Sequence, residues 1–426
     1  MKNVLLFIVL VIITITSFAQ RSVRVRELVD TTNIRFKEIS QFWENYQNVL
    51  QAKIFGMEVD IKPYWADSEN RQYSFPDLRY EMCYIYPILS EYLIGIEKRN
   101  DTLYEIKSVY YSPYSKETEI VLIANALVSS TSSGYQLINP FTKNVSSLHK
   151  KEYEWLHFYY PDDYLFNEKH ASQLYQRANK LIKDMDVKIK APIHYYLCNT
   201  NTDMYDFFGL SVFDDFFSTN VVVERGRALY NNRMILYTSG GENHLHEIIH
   251  ILIQDLRDSI VESDFDEGVC VYFGDQAGIG LQHFAFHANR LKKFLNDNPQ
   301  IDLGVSLKGG YKDSLQKYTH DEKWKTDYGI FHYHDDSTNF HYTIMGILCE
   351  IAYKKGGMNL IKQMILEAPS TEETSTATVT IYSDGKMEYE KEEVQRKDFY
   401  SFIENALTIK NANINTYIRT YLNENY

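Results

Sequence analysis

A change of hydrophobic period early in the chain restricts its fold more than any other feature of the sequence. Apolar residues recur with the spacing of a helix face over residues 32–55, and we predict a second helix over residues 78–93. Apolar and polar residues then alternate, as in half-buried strands, over residues 103–111, 119–129 and 152–159. The first part of the chain is therefore predicted to be an α+β module in which helices cover an antiparallel sheet.

The remaining sequence is richer in helical patterns. A helix is predicted to begin near Glu168, and a strand follows over residues 193–197. Residues 228–238 have the pattern of a hairpin that leads into another helix. A second hairpin, over residues 376–392 with an Asp-Gly turn, interrupts helical sequence near the C terminus. We therefore expect a mainly helical second half with a small sheet.

A polar run separates the two patterns. Residues 144–151 are the best linker candidate, which places a domain boundary near residue 150. A chain of 426 residues exceeds what one core usually organises, so two domains are expected. The first, over residues 20–150, is an α+β accessory module whose order of elements resembles an NTF2-like or cystatin-like cone. The second covers residues 151–426.

The N terminus has the pattern of a secretory signal peptide. An apolar run over residues 4–13 follows Lys2, and Ser17 and Ala19 supply the small residues that precede a cut after Ala19. This run is much shorter than the roughly 20 residues that span a bilayer, although an uncleaved anchor is the alternative. We expect residues 1–19 to be removed and the mature protein, without a membrane span, to be secreted or periplasmic.

Charge and cysteine content exclude several classes of function. The formal net charge of −13 argues against a nucleic acid partner. The four cysteines are too far apart for a zinc ribbon or a dense disulfide framework, so we expect most of them to be buried. One disulfide stays open in an oxidising compartment, and the sequence does not choose the pair. The oligomeric state is likewise left open.

The segment His246-Glu247-x-x-His250 supports a specific chemistry. Residues four apart lie one turn apart on the same face of a helix, so both imidazoles can bind one metal ion. Glu247 can then point at the remaining coordination position and take a proton from a water molecule there. Asn243 is the predicted N-cap of this helix. The alternative is a core helix that happens to carry two solvent-facing histidines.

Glu267 is the predicted third ligand. It follows His250 by 17 residues and begins a predicted second helix, and two histidines with one glutamate are an established ligand set for catalytic zinc. We expect Gly268 to let this helix pack closely on the motif helix, and Cys270 to occupy a small-residue position that faces it. Zn²⁺ is therefore the expected cofactor, bound by His246, His250 and Glu267.

Two segments together resemble the gluzincin metallopeptidases of the MA-like branch: His246-Glu247-x-x-His250 and Glu267-Gly268-x-Cys270-x-Tyr272. In that branch Glu-Gly-x-Ala-x-Tyr carries the third ligand, so this chain departs from it by having Cys270 in place of alanine. The resemblance implies a zincin-like metallopeptidase domain over residues 151–426. It also implies that the strand over residues 234–237 lies at the cleft edge and pairs with an extended peptide substrate.

The resemblance also implies a role for Tyr342. The run from His341 to Leu348 is similar to the Tyr-x-x-x-Gly helix of that branch. Carried over, the phenol of Tyr342 donates a hydrogen bond to the oxyanion of the tetrahedral intermediate. His341 is the neighbouring alternative for this role. The competing interpretation of Tyr342 is a core aromatic residue.

Other polar residues near the motif receive structural interpretations. His244 is two positions from His246 and points to another side of the helix, so we interpret it as a cap or surface residue. The histidine-rich run at residues 331–336 is interpreted as a loop over the cleft and not as a second metal site. Three acidic residues are interpreted as solvated loop residues and not as partners of a ligand imidazole: Asp255, Asp264 and Asp266.

The sequence as a whole predicts a secreted zinc-dependent peptidase that acts on a peptide or protein substrate, with Glu247 as general base and Tyr342 as oxyanion donor. Two alternatives stay open. One is a protein of this fold that binds a partner without cleaving it, although the presence of Glu247 counts against this. The other is a structural or interaction protein in which the N-terminal module acts and the metal only stabilises the second domain.

Overall fold

The computed structural model describes most of the chain beyond the N terminus. The predicted signal peptide, Cys83 and the first twelve residues of the predicted helix at 78–93 lie outside the described residues. The described residues are 24–25, 29–54, 60–66, 90–111, 120–212, 226–229, 233–238, 241–259, 263–275, 284–303, 325–327, 330–333, 336–369, 377–381, 387–391, 397–409 and 413–426.

Helices and strands both contribute substantially, which confirms the predicted α+β class. The helices are α1 (Ile34–Ile54), α2 (Pro140–Asn144), α3 (Glu168–Met185), α4 (Asn201–Asp206), α5 (His246–Arg257), α6 (Asp264–Asp275), α7 (Phe284–Asp297), α8 (Phe340–Glu367), α9 (Lys397–Ala406) and α10 (Ile414–Asn425). The strands of the first half are β1 (Arg24–Val25), β2 (Ser90–Lys98), β3 (Leu103–Tyr111), β4 (Ile120–Thr131), β5 (Gly134–Ile138), β6 (His149–Tyr153), β7 (Leu156–Tyr160) and β8 (Ile193–Cys198). The remaining strands are β9 (Leu210–Val212), β10 (Gly226–Leu229), β11 (Met234–Thr238), β12 (Lys325–Asp327), β13 (Ile330–Tyr333), β14 (Asp336–Asn339), β15 (Ala377–Ile381) and β16 (Met387–Lys391).

The chain divides into two compact units. The first lies within Met1–His149, Tyr159–Tyr164 and Leu197–Arg225, and the second within Lys150–Phe158, Leu165–Tyr196 and Gly226–Tyr426. Two segments beyond residue 150 thus belong to the first unit. For the later of them the reason is strand pairing, because β9 pairs antiparallel with β4 of the first sheet.

The first unit is built on a sheet with the strand order β1-β2-β3-β4-β5, to which β9 adds beside β4. Helix α1 covers this sheet with its apolar stripe, and Trp43 is fully buried. The Trp43 indole donates to Glu91 Oε1 at 2.7 Å and to Ser108 Oγ at 2.9 Å, so its buried N–H is satisfied. Helix and sheet therefore form one layered core, as the change of period predicts.

The predicted end of one helix and the assignment of one strand are wrong in the first half. Residues 90–93, assigned to a helix, form the start of strand β2, where pairing with β3 decides the conformation. Residues 152–159, assigned to one strand of the first sheet, belong to the two strands β6 and β7 of another sheet. Only residues 154 and 155 separate these strands, and a two-residue turn leaves the alternation of period two unbroken.

The second unit contains a sheet with the strand order β10-β11-β8-β7-β6, together with the helices that carry the motif residues. Every residue of β11 is buried, and α5 buries Ile248, Ile249 and Leu252 completely. The predicted hairpins over residues 228–238 and 376–392 are confirmed as β10 with β11 and β15 with β16. Across the described residues, no helix combines the length and apolar character needed to cross a membrane.

Candidate metal centre

The motif helix begins later than predicted. Asn243 is the last residue of a short 3₁₀ helix, Gly241–Asn243, and α5 itself starts at His246 after Leu245, which provides no side-chain cap. The prediction of Asn243 as N-cap is therefore wrong. The reason is that the chain makes a separate turn before the helix, and Asn243 instead accepts hydrogen bonds from Arg177 at 3.4 Å through its carbonyl and 3.3 Å through Oδ1.

Buried hydrogen bonds hold the turn before α5 in place. Glu242 is 2% exposed and its Oε1 accepts the backbone N–H of Asn167 at 2.9 Å. The Tyr195 hydroxyl donates to the Gly241 carbonyl at 2.9 Å and to the His244 carbonyl at 3.3 Å. His244 is half-buried and stacks on Tyr237, with ring centroids 4.3 Å apart. These contacts place the first turn of α5.

Close backbone contacts join α5, α6 and α8. A Cβ atom on Gly274 of α6 would lie 3.0 Å from His246 Cα, so this glycine allows α6 to approach the first turn of α5. Gly268 has a different neighbour from the predicted one, because a Cβ atom there would lie 2.4 Å from the carbonyl oxygen of Met345 in α8. Gly268 therefore serves the contact between α6 and α8.

A buried ion pair fixes the start of α6 next to Glu267. Arg257, the last residue of α5, donates to Asp266 Oδ2 at 2.8 Å and to Oδ1 at 2.7 Å. Asp266 also accepts the backbone N–H of Ser263 at 2.8 Å and its hydroxyl at 3.0 Å. Arg257 further donates to the carbonyl of Ile365 in α8, at 2.8 Å. The pair thus links the end of α5 to the beginning of α6, which makes the two helices antiparallel.

Three predicted ligands converge between these helices. His246 Nε2 lies 3.3 Å from His250 Nε2 and 3.4 Å from Glu267 Oε2, and His250 Nε2 lies 3.3 Å from Glu267 Oε1. Ligand atoms at about 2.1 Å from a tetrahedral zinc ion are separated by about 3.4 Å. The three separations therefore fit one zinc ion without rearrangement of the helices.

The carboxylate of Glu267 supports the same fit. Its Oε2 is buried, and within the described residues no donor reaches it in hydrogen-bond geometry, although His246 Nε2 is 3.4 Å away. A buried carboxylate oxygen without a hydrogen bond is costly unless a cation is near. The donor set of two imidazoles and one carboxylate is also the set that suits zinc.

Burial and charge act in opposite directions on these groups. Burial alone would lower the pKa of His246 and His250, but the Glu267 carboxylate outweighs it at His246, and Cys270 together with Glu267 outweighs it at His250, so both pKa values are raised. Burial would raise the pKa of Glu267, yet the two imidazoles lower it well below its usual range. Without a metal, the negative carboxylate of Glu267 and the protonated imidazoles therefore stabilise one another. A bound metal cation could take the place of that positive charge.

Cys270 lies beside this cluster. It is completely buried on α6, one turn after Glu267, and it contributes to the raised pKa of His250. Donor atoms of His246, His250 and Cys270 all lie within 4.8 Å of one another. The prediction that Cys270 faces the motif helix is confirmed. Burial raises the pKa of this thiol in the metal-free protein to about 12, and His250 opposes that shift.

The two predicted catalytic residues lie on different helices. Glu247 is half-buried in the first turn of α5, next to His246. Tyr342 lies in the first turn of α8 and is 39% exposed, so the interpretation as a core aromatic residue is wrong. Its neighbour His341 lies 3.7 Å from Asp264 of α6.

Helices α6 and α8 run parallel. Asp264 lies next to His341 and Gly268 next to Met345, so the paired residues advance by one turn in the same direction along both helices. Tyr342 is consequently one turn before the contact at Met345, at the end of α8 that lies beside the start of α6. Its role in catalysis stays a prediction.

The interpretation of the nearby acidic residues as solvated loop residues is wrong, and even the Asp264 side chain is only 12% exposed. Asp255 is 8% exposed and receives two hydrogen bonds from the guanidinium of Arg233, at 2.6 and 2.9 Å. Asp266 is 2% exposed and pairs with Arg257. The sequence did not indicate that Arg233 and Arg257 pair with these two carboxylates, because the packing of α5 determines which side chains meet. The basic residue in the last turn of α5 was a signal that could have indicated Arg257.

Strand β11 is not at the edge of its sheet. It lies between β10 and β8, so its backbone groups are used on both sides and the predicted pairing of residues 234–237 with a peptide is wrong. Among the described strands, the edge next to it is β10, and α5 packs beside that strand. Described residues of the run at 331–336 lie in strands β13 and β14, so the interpretation as a loop is also wrong.

The arrangement can hold a transition metal ion between two antiparallel helices, with the carboxylate of Glu247 next to His246 in sequence and the thiol of Cys270 within 4.8 Å of donor atoms of both histidines. No protein-family model matches the sequence, and no curated protein matches it significantly.

Proposed function

We propose that this protein is a zinc-dependent peptidase of the gluzincin type, with His246, His250 and Glu267 as metal ligands. The observation that carries the proposal is the convergence of three side chains from two separate helices: the two imidazole Nε2 atoms lie 3.3 Å apart, and each lies 3.3 to 3.4 Å from one oxygen of the Glu267 carboxylate. Such separations are those of a tetrahedral zinc site, and a set of three protein ligands is typical of catalytic zinc.

Zinc, when bound, supplies a Lewis acid that polarises a carbonyl group and acidifies water. Glu247 adjoins the ligand His246 and carries the carboxylate that takes the proton from the attacking water and returns it to the leaving amine. Tyr342 donates a hydrogen bond to the developing oxyanion, for which its exposure is a necessary condition.

Strand β10, which is an edge strand of its sheet among the described residues, is where a peptide substrate would bind. A peptide in extended conformation can add to an open sheet edge through main-chain hydrogen bonds, which requires no particular side chains. Strand β10 covers β11 on one side, and α5 lies beside it. The scissile bond would thereby be held along the helix that carries Glu247.

The test combines metal content with cleavage of an unfolded protein. We expect one zinc ion per chain after purification in zinc-containing buffer, hydrolysis of unfolded casein that stops on chelation, and recovery when zinc is restored. Glu247→Gln should keep the zinc ion and lose hydrolysis. Asp258→Asn is the matched control, because it makes the same chemical change at the exposed end of the same helix, in a left-handed conformation that asparagine tolerates.

Each outcome separates this proposal from its alternatives. Zinc without cleavage would indicate a protein of this fold that binds without hydrolysis. A chain that binds no zinc would support the structural or interaction protein in which the N-terminal module acts. Turnover retained in Glu247→Gln would refute the assignment of the general base.

A further inference from the structure

A fourth donor stands next to the three proposed ligands. Glu267 and Cys270 are three residues apart on α6, so they lie on one face of that helix. His246 and His250 lie on one face of α5. Because the two faces meet, four side chains with metal-binding atoms share one site.

The position of Cys270 places its sulfur on the metal side of the histidines. Its Sγ lies within 4.8 Å of donor nitrogens from both His246 and His250. A thiol that lay behind the ring of His250 would approach only that histidine. In a tetrahedral zinc site with one thiolate, sulfur and nitrogen ligands are about 3.6 Å apart, so a contraction of about 1 Å around the ion is sufficient.

We propose that Cys270 is a fourth protein ligand of the metal, which rests on the metal site of the proposed function. The thiol loses its proton to the solvent when it becomes a ligand. A thiolate is a soft donor, so it favours zinc, cobalt or cadmium over magnesium, calcium or manganese. Catalytic zinc sites usually leave the fourth position to water, so Cys270 competes with water for that position.

Removal of Cys270 should change both the affinity of the site for zinc and the access of water to the fourth coordination position. A Cys270→Ala variant retains three ligands and should bind zinc at least about tenfold more weakly, because even residues that only support a ligand change affinity by about 10–100-fold. The zinc-loaded variant should turn over substrate faster than the zinc-loaded wild type, since its fourth position is open to water. Weaker zinc binding together with faster turnover distinguishes a competing ligand from a residue that merely supports the fold.

Cobalt(II) titration of the metal-free protein tests the assignment directly. A thiolate ligand produces a sulfur-to-cobalt charge-transfer band in the near ultraviolet, whereas imidazole and carboxylate ligands produce only the visible bands of cobalt. We expect the charge-transfer band in the wild type and in Cys349→Ala, which removes another buried thiol, on α8. The band should disappear in Cys270→Ser and Cys270→Ala while the visible bands remain.

Three results are informative. A charge-transfer band that depends on Cys270 supports the proposal. Visible bands without a charge-transfer band in the wild type would overturn it and leave the three-ligand site intact. Absence of cobalt binding to wild-type protein with a native circular dichroism spectrum would overturn both the fourth ligand and the proposed metal site. Cys270→Ser is included because it preserves the size of the side chain if alanine impairs folding.

Discussion

The ion pair between Arg257 and Asp266 should be a main support of the metal centre. The side chains are 13% and 3% exposed, so removal of the arginine charge would leave a buried carboxylate without its counterion. The substitution Arg257→Met keeps much of the side-chain volume and removes only the charge and the donors. It isolates the electrostatic contribution from that of packing.

The expected loss follows from the contacts that remain. Removing one partner of a buried pair typically costs about 3–5 kcal/mol of the free energy of unfolding. Ser263 still donates two hydrogen bonds to Asp266, which places the loss near the lower end of that range. Loss of about 3 kcal/mol would be a large part of a typical stability of about 5–15 kcal/mol.

Urea denaturation of the metal-free protein, followed by circular dichroism, measures this loss. Lys180→Ala is the control, because the pair of Lys180 with Asp184 is exposed at 74% and 34% and should contribute less than about 1 kcal/mol. The double variant Arg257→Met/Asp266→Asn removes the buried charge and should be more stable than Arg257→Met. A loss below about 1 kcal/mol for the single variant, or a double variant of no greater stability, would refute the reasoning.

Two further predictions concern the cluster itself. Gly274→Ala would place a Cβ atom 3.0 Å from His246 Cα. We therefore expect the free energy of unfolding to fall by about 1–3 kcal/mol and calorimetry to show weaker zinc binding. Gly95→Ala, whose Cβ would lie 4.0 Å from its nearest neighbour, should leave zinc binding unchanged. In the metal-free protein, the raised pKa values of His246 and His250 stabilise the fold below pH 6.5, and this contribution is lost as the pH rises through the raised pKa values. The lowered pKa of Glu267 stabilises the fold above pH 4.5. The cluster should therefore contribute most between these two pH values, and Glu267→Gln should flatten the dependence of the urea midpoint on pH; an unchanged profile would contradict the charge assignment.

Local periodicity was sufficient to predict several elements of the fold. Strand β3 coincides with the predicted residues 103–111, and α3 begins at the predicted Glu168. The helical spacing of His246 and His250 is a property of the backbone alone, because residues four apart in an α-helix always share a face. The sequence by itself thus determined the α+β class, the existence of both motif helices and the orientation of the two histidines.

Only the tertiary structure decided which faces of those helices meet. Gly268 faces α8 and Gly274 faces the motif helix, an assignment that depends on how α6 packs between α5 and α8. The same packing brings Cys270 to the histidines and turns Asp266 into the partner of Arg257. These contacts join residues from different helices, and they depend on crossing geometry and loop closure, for which the hydrophobic period of a single helix carries no information.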